Sequence, residues 1–166
     1  MEGTGSGHDA IVAYGFVAVQ LGLIAAVVLL PAGDAWTVPP WVGTATRGLQ
    51  LIGWAVLIAG MVNLGRSLTA LPTPAARSEL RTGGLYRVVR HPIYSGLMAL
   101  TLGSAIRSGS LVVAAAALAL AGWLTIKARW EERRLVDRHP GYAAYAARTP
   151  RFVPFWPSLG KGQREP

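Results

Sequence analysis

The sequence predicts an all-α fold: a polytopic membrane helix bundle of about four transmembrane helices, with short helices after the last span. Three observations predict it. Of 166 residues, 52% are hydrophobic and 14% are charged, against about 25% charged in an average soluble domain. The hydrophobic residues gather into long uncharged runs, and the mean hydropathy is +0.37. Fourteen of the sixteen Lys and Arg fall within 66–90 or 127–164, beside those runs. This placement turns a net charge of +8 and a pI near 10.8 away from nucleic acid and toward membrane flanks.

Residues 10–33 carry no charge before Asp34 and read as the first span, since about 20 residues rising 1.5 Å each cross a roughly 30 Å hydrocarbon layer. A cleaved signal fits less well, because the start offers Glu2 and Asp9 where a signal needs basic residues. Residues 48–65 read as the second span, entered through an aromatic, Pro-rich connection (Trp36, Pro39, Pro40, Trp41) suited to the headgroup layer. Two further apolar stretches, 93–106 and 111–126, are separated by Arg107-Ser108-Gly109-Ser110 and read as a tight helical hairpin. The first of these is short for a span, so its opening turn is expected near the membrane surface. The whole chain reads as one membrane domain, with the hairpin and later helices in 81–147 and a tail in 148–166.

Basic residues follow the second span (Arg66, Arg77, Arg81, Arg87, Arg90) and the fourth (Lys127 to Arg164), which places both segments and both termini in the cytoplasm. Most of these arginines are accounted for by topology and contact with anionic membrane lipids. Richness in Ala, Gly and Arg together with the lack of cysteine points to a bacterial inner membrane. Gly15 and Gly22, Gly53 and Gly60, Gly96 and Gly103, and the Ala114–Ala117 run read as helix-packing positions, because small residues let backbones approach in lipid. Without cysteine there is no disulfide, thiolate zinc site, iron–sulfur cluster or cysteine nucleophile. His8, His91 and His139 lack metal-site spacing, and no glycine-rich nucleotide loop is present.

Two segments are richer than connection requires. In Gly83-Gly84-Leu85-Tyr86-Arg87-Val88-Val89-Arg90-His91-Pro92-Ile93-Tyr94-Ser95-Gly96, Pro92 suits a first helical turn. His91 then falls at the cap, with Arg90 and Tyr94 beside it and free amides at the positive end of the helix dipole, a receptor for a carboxylate or phosphate. The plainer reading is a juxtamembrane turn whose Arg and Tyr anchor the interface. In the second segment, Lys127 and Glu131 stand one turn apart on a helix leaving the fourth span, with Glu132 alongside. Pro140 breaks that helix, and Tyr142 and Tyr145 share a side of the next turn. The plainer reading here is a solvated helix laced with ion pairs. Because the hairpin brings its open ends together, His91 and Tyr94 are expected to approach Glu131 and Glu132. One end favours anions and the other cations, so the pocket suits a zwitterion.

Gly84-Leu85-Tyr86, Arg90-His91-Pro92-Ile93-Tyr94-Ser95-Gly96, Glu131-Glu132, Leu135, Tyr142, Tyr145 and the exit Arg151-Phe152-Val153-Pro154 together resemble the isoprenylcysteine carboxyl methyltransferase and phospholipid methyltransferase superfamily over about 81–155. The resemblance implies an integral-membrane enzyme using S-adenosylmethionine, releasing S-adenosylhomocysteine, and taking a lipophilic small-molecule or lipid substrate from the bilayer. It implies cofactor contacts at Tyr86, Val88, Val89, Arg90, His91, Tyr94, Glu131, Glu132, Tyr142 and Tyr145, with Glu131, Lys127 and His91 as catalytic candidates and Lys127 on the substrate side. Two competing readings are an NADPH-dependent membrane reductase of the sterol-reductase type, whose C-terminal region also resembles this pattern, and a non-enzymatic four-helix protein binding anionic lipid.

Overall fold

The computed structural model describes residues 4–65 and 80–154. Arg66 and Arg77 of the first basic loop, and Lys161 and Arg164 of the tail, lie outside the described residues. The elements in order are α1 (Thr4–Leu29), α2 (Pro40–Leu64), a 3-10 turn (Gly84–Arg87), α3 (Pro92–Ser108), α4 (Leu111–Arg138) and α5 (Tyr142–Arg148), with no strand among the described residues. Three of them are long and apolar enough to cross a membrane: α1 over Ile11–Leu29, α2, and α4. The fourth expected span, α3, has 17 residues and a length of about 25 Å.

The second helix begins at Pro40, earlier than the uncharged run at 48–65, and takes Trp41 and Arg47 into its opening turns. A proline costs nothing at a first turn. An arginine near one end of a spanning helix reaches the headgroup layer, so it does not end the span. The connection from α1 is strapped over the α3–α4 turn: Gly33 N–H donates to the Ser108 carbonyl at 2.8 Å, Ala35 N–H to the Gly109 carbonyl at 2.9 Å, and the Trp36 indole to the Ile106 carbonyl at 2.8 Å. Ser110 caps α4 by accepting from Val113 N–H.

Helix α2 lies along α3, α1 lies along α4, and α3 and α4 meet in the hairpin. A Cβ on Gly96 would stand 2.6 Å from the Gly53 carbonyl oxygen, and one on Gly103 would stand 2.7 Å from Gln50 Cγ. Those close approaches bear out the packing expected of Gly53, Gly60, Gly96 and Gly103. Gly15 and Gly22 differ, with nothing within 4 Å of an added Cβ. They are on α1, whose packing against α4 instead uses Phe16, against Trp123 and Trp130, and Val27, against Val113 and Ala117. This pairing makes α1 and α4 antiparallel and leaves α4 central, with Leu120, Leu124 and Ala128 fully buried.

Candidate active site

The site is assembled where α3 begins and α4 ends. Pro92 opens α3 and His91 is its N-cap residue, as the sequence predicts. Two amides at the entry to α3 are taken by the segment after α5: Arg90 N–H donates to the Pro150 carbonyl at 2.9 Å and His91 N–H to the Arg151 carbonyl at 3.1 Å. The Ser95 hydroxyl donates to the Phe152 carbonyl at 2.7 Å, so three successive tail residues are fastened to the turn. On the other side, Gly84 has a φ of 58°, and a Cβ there would stand 2.6 Å from the Asn63 side-chain oxygen. The end of α2 thereby fixes the 3-10 turn that carries Tyr86.

Tyr94 stands in the first turn of α3, and its hydroxyl donates to Glu131 Oε1 at 2.6 Å. The His91 ring stacks on the Tyr94 ring with centroids 5.3 Å apart and planes 3° from parallel. His91 lies between the two acids, with Nε2 3.0 Å from Glu132 Oε1 and Nδ1 3.7 Å from Glu131 Oε2. The helix dipole of α3 adds to the attraction, since both carboxylates gather at its positive end. The expected approach of His91 and Tyr94 to Glu131 and Glu132 is therefore present as direct contact.

Adjacent in sequence, the two acids have different partners. Glu132 accepts from Arg151 Nε at 2.9 Å and Nη2 at 2.7 Å, a two-pronged pairing, and Arg90 Nη1 stands 3.5 Å from Oε1. Glu131 faces Tyr94 and His91. Arg90 is mostly buried, and among the described residues its Nε has no hydrogen-bond partner. Tyr142 and Tyr145 lie buried with rings edge to face at 5.8 Å, and the Tyr145 hydroxyl donates to the Tyr86 carbonyl. Burial pushes the Tyr86 phenol up to about 12, with the Glu131 charge adding to the rise. Burial likewise lifts Tyr145 to about 12, and it raises Tyr142, where Glu132 adds. Hydrogen bonds to Glu132 raise the Arg151 guanidinium further.

Of the residues expected at the site, Tyr86, Val89, Arg90, His91, Tyr94, Glu131, Glu132, Tyr142 and Tyr145 are buried or half-buried around this junction, whereas Val88 is 45% exposed. Lys127 is 3% exposed, with Nζ 5.4 Å from the centre of the Tyr94 ring and donating to Gln20 Oε1 at 2.8 Å. Gln20, Ser95, Arg151 and Phe152 are contacts that residue-by-residue reading does not assign a role. Arg151 and Phe152 stand in the exit that forms part of the resemblance, so a signal for them exists. Gln20 is a lone amide in an apolar helix, a pattern that marks a buried partner in membranes.

Among solved structures, the eukaryotic intramembrane Ras methyltransferase ICMT (isoprenylcysteine carboxyl methyltransferase) superposes with a TM-score of 0.63, covering 93% of this chain and 54% of that one at 18% identity. This is a likeness of fold. The chain is 35% identical over 116 residues to the cobalt-zinc-cadmium resistance protein CzcN of Cupriavidus metallidurans, covering 69% of this chain and 53% of that protein. It thus spans about half the length of the curated relative it matches. Residues 41–141 match the phospholipid methyltransferase family. That match covers more than half of the sequence and runs from the start of α2 through the RHPxY turn and both glutamates, so this integral membrane chain belongs to the phospholipid methyltransferase family.

Proposed function

We propose that the chain is a membrane methyltransferase that moves a methyl group from S-adenosylmethionine to a lipophilic acceptor, a carboxylate or amine on a prenylated or lipid-like molecule. The observation that carries this reading is the meeting of the Arg90-His91-Pro92 turn with Glu131 and Glu132, through the Tyr94–Glu131 and His91–Glu132 contacts, in a chain of this family. The donor set suits the cofactor. S-adenosylmethionine carries a carboxylate, an amine and a sulfonium. Arg90 has a buried Nε without a protein partner among the described residues, which suits the carboxylate, and Glu131 is an acid turned to the junction, which suits a cation. When bound, the cofactor would supply a methyl group activated by its sulfonium, with the thioether S-adenosylhomocysteine as the leaving group.

The chain's own residues then have three tasks. Tyr86, Val89, Tyr142 and Tyr145 form a largely dry wall that excludes water. Glu132, fixed by Arg151 and Arg90, orients the His91 ring. Glu131 and Lys127 border the path to the acceptor, which must come within about 3 to 3.5 Å of the methyl carbon. A carboxylate acceptor needs no base, while an amine acceptor gives up a proton, for which Glu131 Oε2 and His91 Nδ1 are the candidates. The basic clusters support a cytoplasmic active site, and the richness in Ala, Gly and Arg with no cysteine supports a bacterial inner membrane.

The testing experiment is transfer of radiolabelled methyl from S-adenosylmethionine to lipid extracts by the purified chain. Label is expected in the lipid phase, with Glu131→Ala and His91→Ala each lowering it at least roughly a hundredfold. Unlabelled lipid, or variants as active as the parent, would overturn the reading.

A further inference from the structure

We infer that Gln20, on α1, is a positioning residue for the site: its side-chain oxygen holds the Lys127 ammonium beside Tyr94 and Glu131, which makes the first helix a working part of the site. The inference rests on the methyl-transfer reading above. It concerns a residue that lies ahead of the family match at 41–141.

A lysine near the charged end of a spanning helix ordinarily extends its four-carbon stem toward that end and leaves its ammonium in water. Lys127 does the reverse. Phe16 packs its ring against both Trp123, at 5.1 Å, and Trp130, at 5.4 Å, so on the antiparallel pair its level falls between those two tryptophans, close to Lys127 itself. Gln20 lies one turn beyond Phe16 along α1, on the side away from the charged stretch of α4 that ends at Arg138. The ammonium reaches back to Gln20 Oε1 at 2.8 Å. Helical side chains lean toward the N-terminus of their helix, so the backbone of α4 already aims Lys127 this way, into the bilayer.

An ammonium held out of water is costly, and a residue serving only to fill this position would do better as leucine. What the charge gains here is its neighbours. Nζ stands 5.4 Å from the centre of the Tyr94 ring, and the Tyr94 hydroxyl is bound to Glu131. Gln20 therefore fixes a cation on the membrane side of the Tyr94–Glu131 pair, where an acceptor arriving from the bilayer would meet it. Docking of α1 on α4 is a separate matter, supported by the Phe16–Trp123 contacts and by Val27 in the core with Val113 and Ala117.

The test uses the full chain in lipid nanodiscs with three substitutions: Gln20→Leu, Gln20→Glu and Trp123→Phe. Two quantities are read. One is the rate at which an amine-acylating reagent modifies Lys127, followed by mass spectrometry and normalised to Lys161, the other lysine in the sequence. The other is the steady-state kinetics of methyl transfer. Gln20→Leu is expected to speed acylation of Lys127 severalfold and to lower kcat/KM for the lipid acceptor roughly ten- to a hundredfold, leaving KM for S-adenosylmethionine unchanged. Gln20→Glu, which also accepts from an ammonium, is expected to restore both. Trp123→Phe weakens the docking of α1 and is expected to change neither. The inference is overturned if Gln20→Leu behaves as the parent chain, or if Trp123→Phe reproduces its effects. Should the parent chain transfer no methyl group at all, the methyl-transfer reading fails, and the acylation rates alone still decide whether Gln20 holds Lys127.

Discussion

Neighbouring residues in a helix point about 100° apart, and at Glu131 and Glu132 that angle separates two tasks. Glu132 faces the tail and the His91 ring, and Arg151 grips both of its oxygens. Arg151→Ala removes two charge-assisted hydrogen bonds but leaves Arg90 and His91 beside Glu132, so a loss of about 1–3 kcal/mol is expected, seen as a lower melting temperature in detergent. Arg151→Lys should recover only part of it, since an ammonium cannot form the two-pronged pairing. The tyrosines give a pH dependence with a definite sign. Burial pushes the Tyr86 and Tyr145 phenols up to about 12 in the fold against about 10 in an unfolded chain, so their contribution is complete below pH 10 and is lost as pH rises toward 12. The melting temperature should fall across that window, and less steeply in Tyr145→Phe. Of this cluster, His91, Tyr94 and the two glutamates are legible in the sequence from helix spacing and the hairpin. The division of labour between the acids is not, because it depends on Arg151, which reaches Glu132 only after the chain has turned back through α5.

At the scale of the elements, the glycines show what spacing can and cannot reveal. Gly15 and Gly22 repeat at the same interval as Gly53 and Gly60 or Gly96 and Gly103, so the three pairs look equivalent in sequence. In the fold the α2 and α3 pairs meet side chains or backbone of the facing helix, whereas Gly15 and Gly22 face open space. Which face of a spanning helix meets a neighbour is decided by the partner, and lipid tails give the sequence no contrast to record. Gly96→Leu is expected to push α3 off α2 and cost at least about 1–3 kcal/mol, disturbing the His91 turn at its head. Gly15→Ala and Gly22→Ala should leave the melting temperature unchanged or raise it slightly, because alanine is the better helix former. The boundaries of α2 were less legible than its existence. Arg47 interrupts the apolar run in sequence, yet in the fold it sits in the opening turns of a 25-residue helix.

For the molecule as a whole, the central idea is that four helices hold two charged ends of chain face to face. The α3–α4 hairpin brings them together, α2 fixes the 3-10 turn through Asn63, and the tail after α5 closes over the RHPxY turn. The class of fold follows from composition and the uncharged runs alone, and the meeting of the two ends follows from the hairpin. The tail's closure and the place of α1 depend on contacts between residues as far apart as Gln20 and Lys127, which no local pattern encodes. The most direct measurement of the central claim is the melting temperature of the purified chain titrated with S-adenosylhomocysteine and, separately, with NADPH. Only a ligand that binds the folded state raises it. The account predicts a saturable rise with S-adenosylhomocysteine that Glu131→Gln weakens, and none with NADPH; a rise with NADPH alone, or with neither, would contradict it.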